Sequence, residues 1–355
     1  MRYLALLSLL GACTATIEPN GAGVVEGTAD GPDGLELPVT VWFPADTTEA
    51  STTLEYQLGV SGAAYLDAEP ATGPFPVIVS SHGNGGGQHA GALIYEEWAA
   101  AGYVVVAMDH VGNTFTDTPT NNEWVEIFIR RPEDVAAAYR AAVSWSEDED
   151  HVLSGLIDPE QLIIAGHSTG GATAVLASGG ALSKTTVTLA CSAGQLSGTA
   201  CELAAASEGD ISLMPADLPD PVATLAMAPL NGGLFATDLD MTGSSLVMVG
   251  TEDSITPSDS HATPIYEAMP STKALVELEG GNHYGFATIC TVPGLSAVLP
   301  SVASQCDDPD YLSEEAFVAA TVDISLAFFD HEVRGNADAS AEAAAAAHPV
   351  SFVSE

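Results

Sequence analysis

Short apolar runs alternate with longer segments of helical periodicity along most of this chain of 355 residues. The apolar runs are rich in β-branched residues and end at glycine or at polar loops, which is typical of buried strands. They predict strands at residues 37–43, 76–81, 103–108, 161–165, 222–228, 245–249 and 274–278. Apolar side chains that recur every three or four positions predict helices at residues 89–101, 133–145, 170–178, 264–269 and 315–329. This alternation predicts an α/β fold, with a mostly parallel twisted sheet and helices on both faces.

The remaining stretches define the expected domain boundaries. Residues 14–34 are small and rich in glycine and threonine, which predicts a linker. Residues 191–219 predict an insertion loop, because loops beyond about 12 to 15 residues in a compact domain are usually functional or disordered. Residues 336–355 contain an alanine run and predict a C-terminal tail that resembles a frayed surface helix. One catalytic domain is therefore expected at residues 35–335.

The N-terminus has the outline of an export signal. Arg2 precedes a short apolar run that ends in LGAC at Cys13 and is too short to span a bilayer. The run resembles a bacterial lipobox, which predicts a signal peptide at residues 1–13 and lipidation of Cys13. The alternative is an ordinary secreted protein that is cut nearby and loses Cys13. We therefore expect an exported protein, either an outer-membrane or cell-surface lipoprotein that touches the membrane only through its anchor, or a secreted one.

The charge balance narrows the possible partners. Seven Lys and Arg residues stand against 48 Asp and Glu residues, which gives a formal net charge of −41. So acidic a chain is not expected to bind nucleic acid, because that binding depends on basic residues that neutralise phosphates. The acidic residues are scattered along the chain, which predicts an acidic surface that repels itself at low salt and suggests a saline habitat.

Four further cysteines predict two disulfides. Cys191, Cys201, Cys290 and Cys306 form an even set in a chain that is expected to be exported. Four cysteines allow three pairings, and we favour Cys191 with Cys201 and Cys290 with Cys306, because each pair is close in sequence and flanks a polar stretch. Neither pair has the C-x-x-C spacing of zinc or redox sites, so no metal site is predicted.

A candidate nucleophile lies in the segment GHSTGG at residues 166–171, which contains a G-x-S-x-G motif. The motif falls between a predicted strand and a predicted helix, the context of a nucleophile elbow. Such a turn strains the serine backbone, and a side chain at either glycine would collide with a neighbouring element. The motif therefore predicts Ser168 as a nucleophile; the alternative is a glycine-rich turn without a catalytic role.

A serine nucleophile needs a base to take its proton and an acid to orient that base. In this architecture they follow the serine in the order acid, then histidine, each on the loop after a later strand. Asp253 and His283 follow the strands predicted at 245–249 and 274–278, at the edge where open α/β sheets bind ligands. We prefer Asp253 to Glu252, because neighbouring residues of one loop cannot both point inward, and His283 because it directly follows a strand.

Two backbone N–H groups are needed to hold the oxyanion that forms on the substrate. Thr169, next to the nucleophile, is predicted to supply the first. Asn84 is predicted to supply the second, from the glycine cluster HGNGGG at residues 82–87, where glycines let the backbone approach the substrate. The alternative for this cluster is a flexible turn. His82 is expected to stabilise the loop.

Several motifs resemble the α/β-hydrolase superfamily. The segments GPFPVIV, GHSTGG, EDSITP, PIYEAM and GGNH are similar to bacterial cutinase-like polyester (PET) hydrolases. The segments DHVGNTF and RPEDV are similar to the platelet-activating-factor acetylhydrolase-like and dienelactone-hydrolase-like branch. Together the motifs span residues 73–290. The resemblance implies a Ser-His-Asp esterase without metal or organic cofactor, and it leads to the same Ser168, Asp253 and His283.

The substrate side departs from the polyester hydrolases. Asn84, Thr169 and Leu230 stand where that family carries an aromatic residue, a methionine and a tryptophan, so an aromatic clamp for flat aryl rings is absent. Trp124, in the long loop predicted at 111–131, is a candidate to restore the clamp, although a tryptophan in a loop is as often a packing anchor. Leu230 and Trp124 are thus the predicted substrate-binding residues.

These residues predict a carboxylic ester hydrolase that forms an acyl-enzyme. We expect the protein to be a monomer, although the residues themselves do not indicate an oligomeric state. The expected substrates are short to medium acyl esters, as small molecules or polymers, and no cofactor is expected. The alternatives among hydrolases are a lipid acetylhydrolase and a lactone or dienelactone hydrolase. The alternative of another class is a catalytically silent lipoprotein that uses the fold for binding.

Overall fold

The computed structural model describes residues 16–270 and 272–354. Within them, one mixed sheet of twelve strands forms the centre of the molecule. Its strands are β1 (Gly21–Asp30), β2 (Glu36–Asp46), β3 (Thr53–Tyr56), β4 (Val60–Tyr65), β5 (Glu69–Pro70), β6 (Phe75–Ser81), β7 (Val104–Met108), β8 (Ile157–His167), β11 (Ala223–Met227), β12 (Ser244–Gly250), β13 (Lys273–Leu278) and β14 (Val350–Ser354). A small separate sheet pairs β9 (Ala181–Leu182) with β10 (Ile211–Ser212).

Ten α-helices connect these strands or follow them within the described ranges. They are α1 (Ala92–Ala100), α2 (Asn121–Glu147), α3 (Thr169–Ala177), α4 (Lys184–Ser192), α5 (Thr199–Ala206), α6 (Ala262–Ala268), α7 (Leu295–Val298), α8 (Pro300–Cys306), α9 (Glu314–Glu332) and α10 (Ala341–Ala345). No helix in this part of the chain has the length and apolar character needed to span a membrane.

The order across the large sheet is β14-β13-β12-β11-β8-β6-β7-β2-β1-β4-β3, with β5 beside β2. The six central strands, β6, β7, β8, β11, β12 and β13, are paired in parallel. Antiparallel strands extend the sheet on both sides. The predicted mostly parallel sheet is thereby confirmed.

The central strands are mostly apolar and mostly buried because helices cover both faces of the sheet. In β7, Val105 packs in the cluster that contains Trp98 of α1 and Phe329 of α9. The neighbouring Val106 points the other way, into the cluster that contains Val135 of α2. Successive side chains of a strand alternate between faces, so each strand contributes to both halves of the core.

The predicted linker at residues 14–34 is wrong over most of its described length. Residues 21–30 form β1, which pairs with β2 from Gly21 opposite Ala45 to Asp30 opposite Glu36. Glycine is needed here for close packing, because a Cβ on Gly23 would lie 2.3 Å from the Phe43 ring. The small residues of this segment therefore allow close strand packing and do not indicate a flexible linker.

The predicted C-terminal tail at 336–355 is also ordered structure. It contains α10 and β14, and β14 pairs antiparallel with β13, with Ala274 opposite Ser354 and Leu278 opposite Val350. Phe352 packs against the core cluster beside it. β14 has only five residues, so its alternation of apolar and polar side chains is too short to be recognised in the sequence. Its partner β13 also lies far away along the chain. Ordered elements therefore lie before residue 35 and after residue 335, outside the limits that were predicted for the catalytic domain.

The predicted insertion at 191–219 is not one long loop. It contains the end of α4, all of α5 and β10, and the Cys191–Cys201 disulfide joins the two helices. The second disulfide is Cys290–Cys306, so the favoured pairing is the one in the structure. Cys13 and the predicted signal peptide lie outside the described residues.

Candidate active site

Ser168 occupies the predicted turn between a strand and a helix. β8 ends at His167, α3 begins at Thr169, and Ser168 itself has φ 58° and ψ −119°. Both glycines of the motif are sterically required: a Cβ on Gly166 would lie 2.1 Å from the Gly170 oxygen, and one on Gly170 would lie 1.9 Å from the Ser81 oxygen. A positive φ is strained for serine, so the surrounding packing holds the nucleophile in place.

The structure brings Ser168, His283 and Asp253 into one hydrogen-bonded chain. His283 Nε2 lies 3.0 Å from Ser168 Oγ, and His283 Nδ1 lies 2.7 Å from Asp253 Oδ2. All three residues are buried, at 6%, 4% and 4% exposure in the same order. His283 begins the turn after β13 and Asp253 lies in the turn after β12. Three loops at the carboxyl ends of parallel strands therefore meet at these three side chains.

The Asp253 carboxylate is held from several sides. Its Oδ1 accepts the N–H groups of Ile255 at 2.9 Å and of Thr256 at 2.7 Å. Burial by itself raises the pKa of this carboxyl, but the hydrogen bonds from His283 and Thr256 and the attraction of His283 outweigh it and lower the pKa below its usual range. The acid thus stays ionised at neutral pH.

Thr256 is a site residue that the sequence analysis did not single out. Its hydroxyl donates to Asp253 Oδ2 at 2.7 Å and lies 3.0 Å from His283 Nδ1. The same oxygen is 3.2 Å from the carbonyl oxygen of Ala228. A short polar residue three positions after an aspartate is a turn signal, because aspartate side chains accept hydrogen bonds from following N–H groups. That signal could have drawn attention to Thr256.

His167 supports the backbone of His283. Its Nε2 lies 2.9 Å from the His283 carbonyl oxygen, which can only accept, so Nε2 carries the proton. Burial, together with repulsion from His283, lowers the pKa of His167 to about 3. His167 is therefore neutral, and its hydrogen bond to the carbonyl oxygen fixes the backbone of the candidate base His283.

The two predicted oxyanion donors lie on the two chain segments that adjoin Ser168, the helix that follows it and the loop after β6. Thr169 is the first residue of α3, and Asn84 lies in the loop after β6. That loop runs directly against the nucleophile, because a Cβ on Gly83 would lie 3.2 Å from the Ser168 Cβ. Within the described residues, neither the N–H of Asn84 nor that of Thr169 has a hydrogen-bond partner in the protein.

The two predicted substrate-binding residues lie beside these groups. The N–H of Leu230 donates to the Ser168 carbonyl at 3.1 Å, and the half-buried side chains of Leu230 and Trp124 pack against the same core cluster. Trp124 Nε1 donates to Asn84 Oδ1 at 2.7 Å, and the ring stacks on Phe128 at 5.4 Å.

The local structure of Trp124 differs from the prediction. It lies in the first turn of α2, not in a loop. This helix begins at Asn121 because Thr120 and Glu123 form a capping box: Glu123 Oε2 accepts the Thr120 N–H at 2.7 Å, and the Thr120 hydroxyl accepts the Glu123 N–H. Pro132, which predicted the helix start, lies inside the helix, at the cost of one backbone hydrogen bond.

Metal and cofactor chemistry were not predicted from the sequence. Among residues 16–270 and 272–354, no group of three or more His, Cys, Asp or Glu side chains is placed to hold a metal ion.

Comparison with known proteins adds one distant relationship. No family model matches this chain. A cutinase, Cutinase est1 of Thermobifida alba, is 26% identical to it over 226 residues, which are 63% of this chain and 57% of that protein. The chain thus matches little more than half the length of this relative. The similarity agrees with the sheet order and with the turn at Ser168: this protein has the α/β-hydrolase fold.

Proposed function

We propose that this protein is a serine carboxylic ester hydrolase. The observation that carries the proposal is the hydrogen-bonded chain from Ser168 through His283 to Asp253, which starts at a serine with positive φ at the end of a parallel strand. A nucleophile, its base and the group that orients the base need this geometry, whatever the fold. The cutinase relationship supports the same reaction type.

In the proposed mechanism, Ser168 Oγ attacks the ester carbonyl carbon while its proton passes to His283 Nε2. The N–H groups of Thr169 and Asn84 donate to the resulting oxyanion. When the tetrahedral intermediate collapses, the bond to the alcohol oxygen breaks and His283 returns the proton to that oxygen. Water then attacks the acyl-serine in the same way, which releases the acid and restores Ser168. Asp253 stays ionised and stabilises the protonated imidazole.

The proposed substrates are short to medium acyl esters, either small molecules or a polymer. The similarity to a protein named a cutinase supports this substrate class. Leu230, close to the Ser168 backbone, offers a half-buried aliphatic surface for an acyl chain. Trp124 offers a ring on the side of Asn84, but its Nε1 is already engaged there. This arrangement favours an aliphatic acyl group over a flat aryl ring.

We also propose that the protein is exported and works as a monomer. Its two disulfides are typical of chains that mature outside the cytosol. A lipid anchor at Cys13 belongs to the same proposal, and the mass of the mature N-terminal peptide would distinguish lipidated Cys13 from a chain cut beyond it.

The test is hydrolysis of p-nitrophenyl esters from acetyl to dodecanoyl, in buffer with added salt. We expect turnover by the wild-type protein and none above background by Ser168→Ala, while Ser192→Ala, an exposed serine of α4, keeps the wild-type rate. An optimum at the acetyl ester would favour an acetylhydrolase over a cutinase-like enzyme. A folded wild-type protein without turnover would refute the proposal and leave a binding lipoprotein as the alternative.

A further inference from the structure

Arg131 is a fully buried cation of α2 that lies beneath the loop carrying Asn84. Its Nη1 donates to the carbonyl oxygen of His82 at 2.5 Å, and its Nη2 lies 3.5 Å from the carbonyl oxygen of Gly83. Nη2 also donates to Asn113 Oδ1 at 2.6 Å. The guanidinium is therefore directed at the backbone of the proposed oxyanion loop and at the Asn113 side chain beside it.

Burying a charge without a partner carboxylate lowers the stability of the fold. The position of Arg131 therefore indicates a role other than an ion pair. The adjacent Arg130 pairs with Asp134 at 3.1 Å, whereas Arg131 forms no ion pair within 4.0 Å among the described residues. Burial lowers the pKa of Arg131 to about 9, against the attraction of Asp134, which leaves the guanidinium charged at neutral pH. Carbonyl and amide oxygens, not carboxylates, thus solvate this cation.

The peptide between Gly83 and Asn84 is held at its carbonyl end. His82 Nε2 accepts the N–H of His110 at 3.0 Å, so the ring proton is on Nδ1, which donates to the Gly83 oxygen at 2.7 Å. His82 is buried and neutral, because burial and the neighbouring charges hold its pKa well below the usual range. With Arg131 near the same oxygen, the Gly83 carbonyl is fixed on the buried side of the loop.

The N–H of Asn84 belongs to that same peptide unit. In a trans peptide the C=O and N–H bonds point in opposite directions, and this peptide is trans. The Asn84 N–H therefore points away from the buried Arg131 and has no protein partner in the described structure. The side chain of Asn84 is tethered as well, since its Oδ1 accepts from Asn113 Nδ2 at 2.9 Å and from Trp124 Nε1 at 2.7 Å.

We propose, on the basis of the function proposed above, that Arg131 is a positioning residue for the oxyanion hole: through His82, Gly83 and Asn113 it fixes the peptide whose N–H, that of Asn84, receives the oxyanion. A cation on the carbonyl side also polarises the peptide and strengthens its N–H as a donor. Removal of one oxyanion donor typically lowers kcat on the order of 10²- to 10³-fold. Loss of Arg131 should approach the lower limit, because the donor remains present but is no longer held.

The experiment compares Arg131→Met and Asn113→Ala with Arg140→Met as the matched control. Arg140 lies on the same helix and pairs at the surface with Asp217, so its loss removes the same charge from a very acidic protein without touching the loop. Steady-state kinetics with p-nitrophenyl butyrate give kcat and KM. Binding of butaneboronic acid, which forms a tetrahedral anionic adduct with a serine, reports on the oxyanion hole itself.

For Arg131→Met we expect kcat and the boronate affinity to fall together, on the order of 10²-fold, with KM within about threefold of wild type. For Asn113→Ala we expect the same pattern at about tenfold, and for Arg140→Met no change beyond about twofold. A merely structural role would lower the unfolding midpoint without moving boronate affinity and kcat in parallel.

A folded Arg131→Met protein with wild-type kcat would overturn the inference, as would a lost kcat with unchanged boronate affinity. If Arg131→Met does not fold, as judged by its circular dichroism melt, Asn113→Ala decides the question by the same two readouts. Failure of the esterase proposal looks different: the wild-type protein would then show no turnover, or Ser168→Ala would retain it. Either result would remove the basis of this role together with the function.

Discussion

Thr256 contacts both the acid and the base of the proposed triad. Thr256→Val keeps the shape of the side chain and the N–H bond to Asp253, but removes the hydroxyl that donates to Asp253 Oδ2 at 2.7 Å. We expect kcat for p-nitrophenyl butyrate to fall about tenfold, because hydrogen bonds to charged groups contribute about 1.5 to 3 kcal/mol.

Thr256→Ser is the matched control, since it retains the hydroxyl and should keep kcat near the wild-type value. If the valine variant were as active as the serine variant, the hydroxyl would only fill space beside Asp253.

Glu314 has a buried carboxyl oxygen, Oε1, without a partner among the described residues, and burial raises its pKa to about 7. An unfolded glutamate has a pKa of about 4.3, so the folded protein binds the extra proton between these values and loses stability as pH rises through them. Glu314→Gln stays neutral at every pH. We expect it to raise the free energy of unfolding by about 1 to 2 kcal/mol above pH 7 and to change it little near pH 4.

Urea unfolding at these two pH values measures the effect. Glu315→Gln, an exposed neighbour in the same first turn of α9, is the control and should show no such pH dependence. An equal gain at both pH values would mean that the ionisation of Glu314 does not limit stability.

At the scale of elements, the Cys290–Cys306 disulfide attaches α8 to the turns that follow His283. Asn282 adds a second attachment: its Oδ1 accepts the N–H groups of Tyr284 and Gly285, and its Nδ2 donates to the Gln305 carbonyl at 3.0 Å. The other disulfide joins α4 to α5, neither of which carries a triad residue. The two bonds therefore have different expected roles.

Replacing Cys290 and Cys306 by serine together should lower both kcat and stability, the latter by about 3 kcal/mol for a loop of 16 residues. Replacing Cys191 and Cys201 by serine should lower stability and leave kcat within about twofold of wild type. Kinetics with p-nitrophenyl butyrate and thermal melts of the two double variants separate these effects. Equal kcat in both would show that α8 does not support the His283 turn.

The elements themselves differ in how well the sequence predicts them. The parallel strands and the turn at Ser168 were predictable, because burial on both faces gives continuous apolar runs and the turn requires glycine at both flanking positions. The start of α2 was missed because Pro132 resembles a first-turn proline. The true start is the capping box at Thr120, which lies in the segment that was predicted to be a loop. β1 was missed because its glycines, which make room for partners such as Phe43, have the composition of a linker.

At the scale of the whole molecule, the net charge of −41 dominates the surface. Two of the few cations, Arg131 and Lys273, are buried and add little to the surface balance. We expect the unfolding midpoint to rise between dilute buffer and molar potassium chloride, because the screening length falls from about 10 Å at 0.1 M to about 3 Å at 1 M.

Chloride is the appropriate salt, since sulfate strengthens apolar burial by exclusion and would raise the midpoint of any protein. Sodium chloride at the same molarity should give the same rise, because screening depends on ionic strength and not on which monovalent cation is present. A midpoint that stays constant in potassium chloride would contradict a surface limited by its own repulsion.

The sequence by itself determined the α/β architecture, the turn that holds Ser168 and the candidates Asp253 and His283, whereas it allowed three pairings of the four cysteines and only favoured the one in the structure. Each of these is recorded in local periodicity, in glycine spacing or in chain order, which depend on residues near one another along the chain. Only the tertiary structure decided that Thr256 lies between Asp253 and His283, that β14 completes one edge of the sheet, and that Arg131 faces a loop 48 residues before it. Except for the local bond from Thr256 to Asp253, these contacts join segments that are distant in sequence, and strand order and helix packing bring them together.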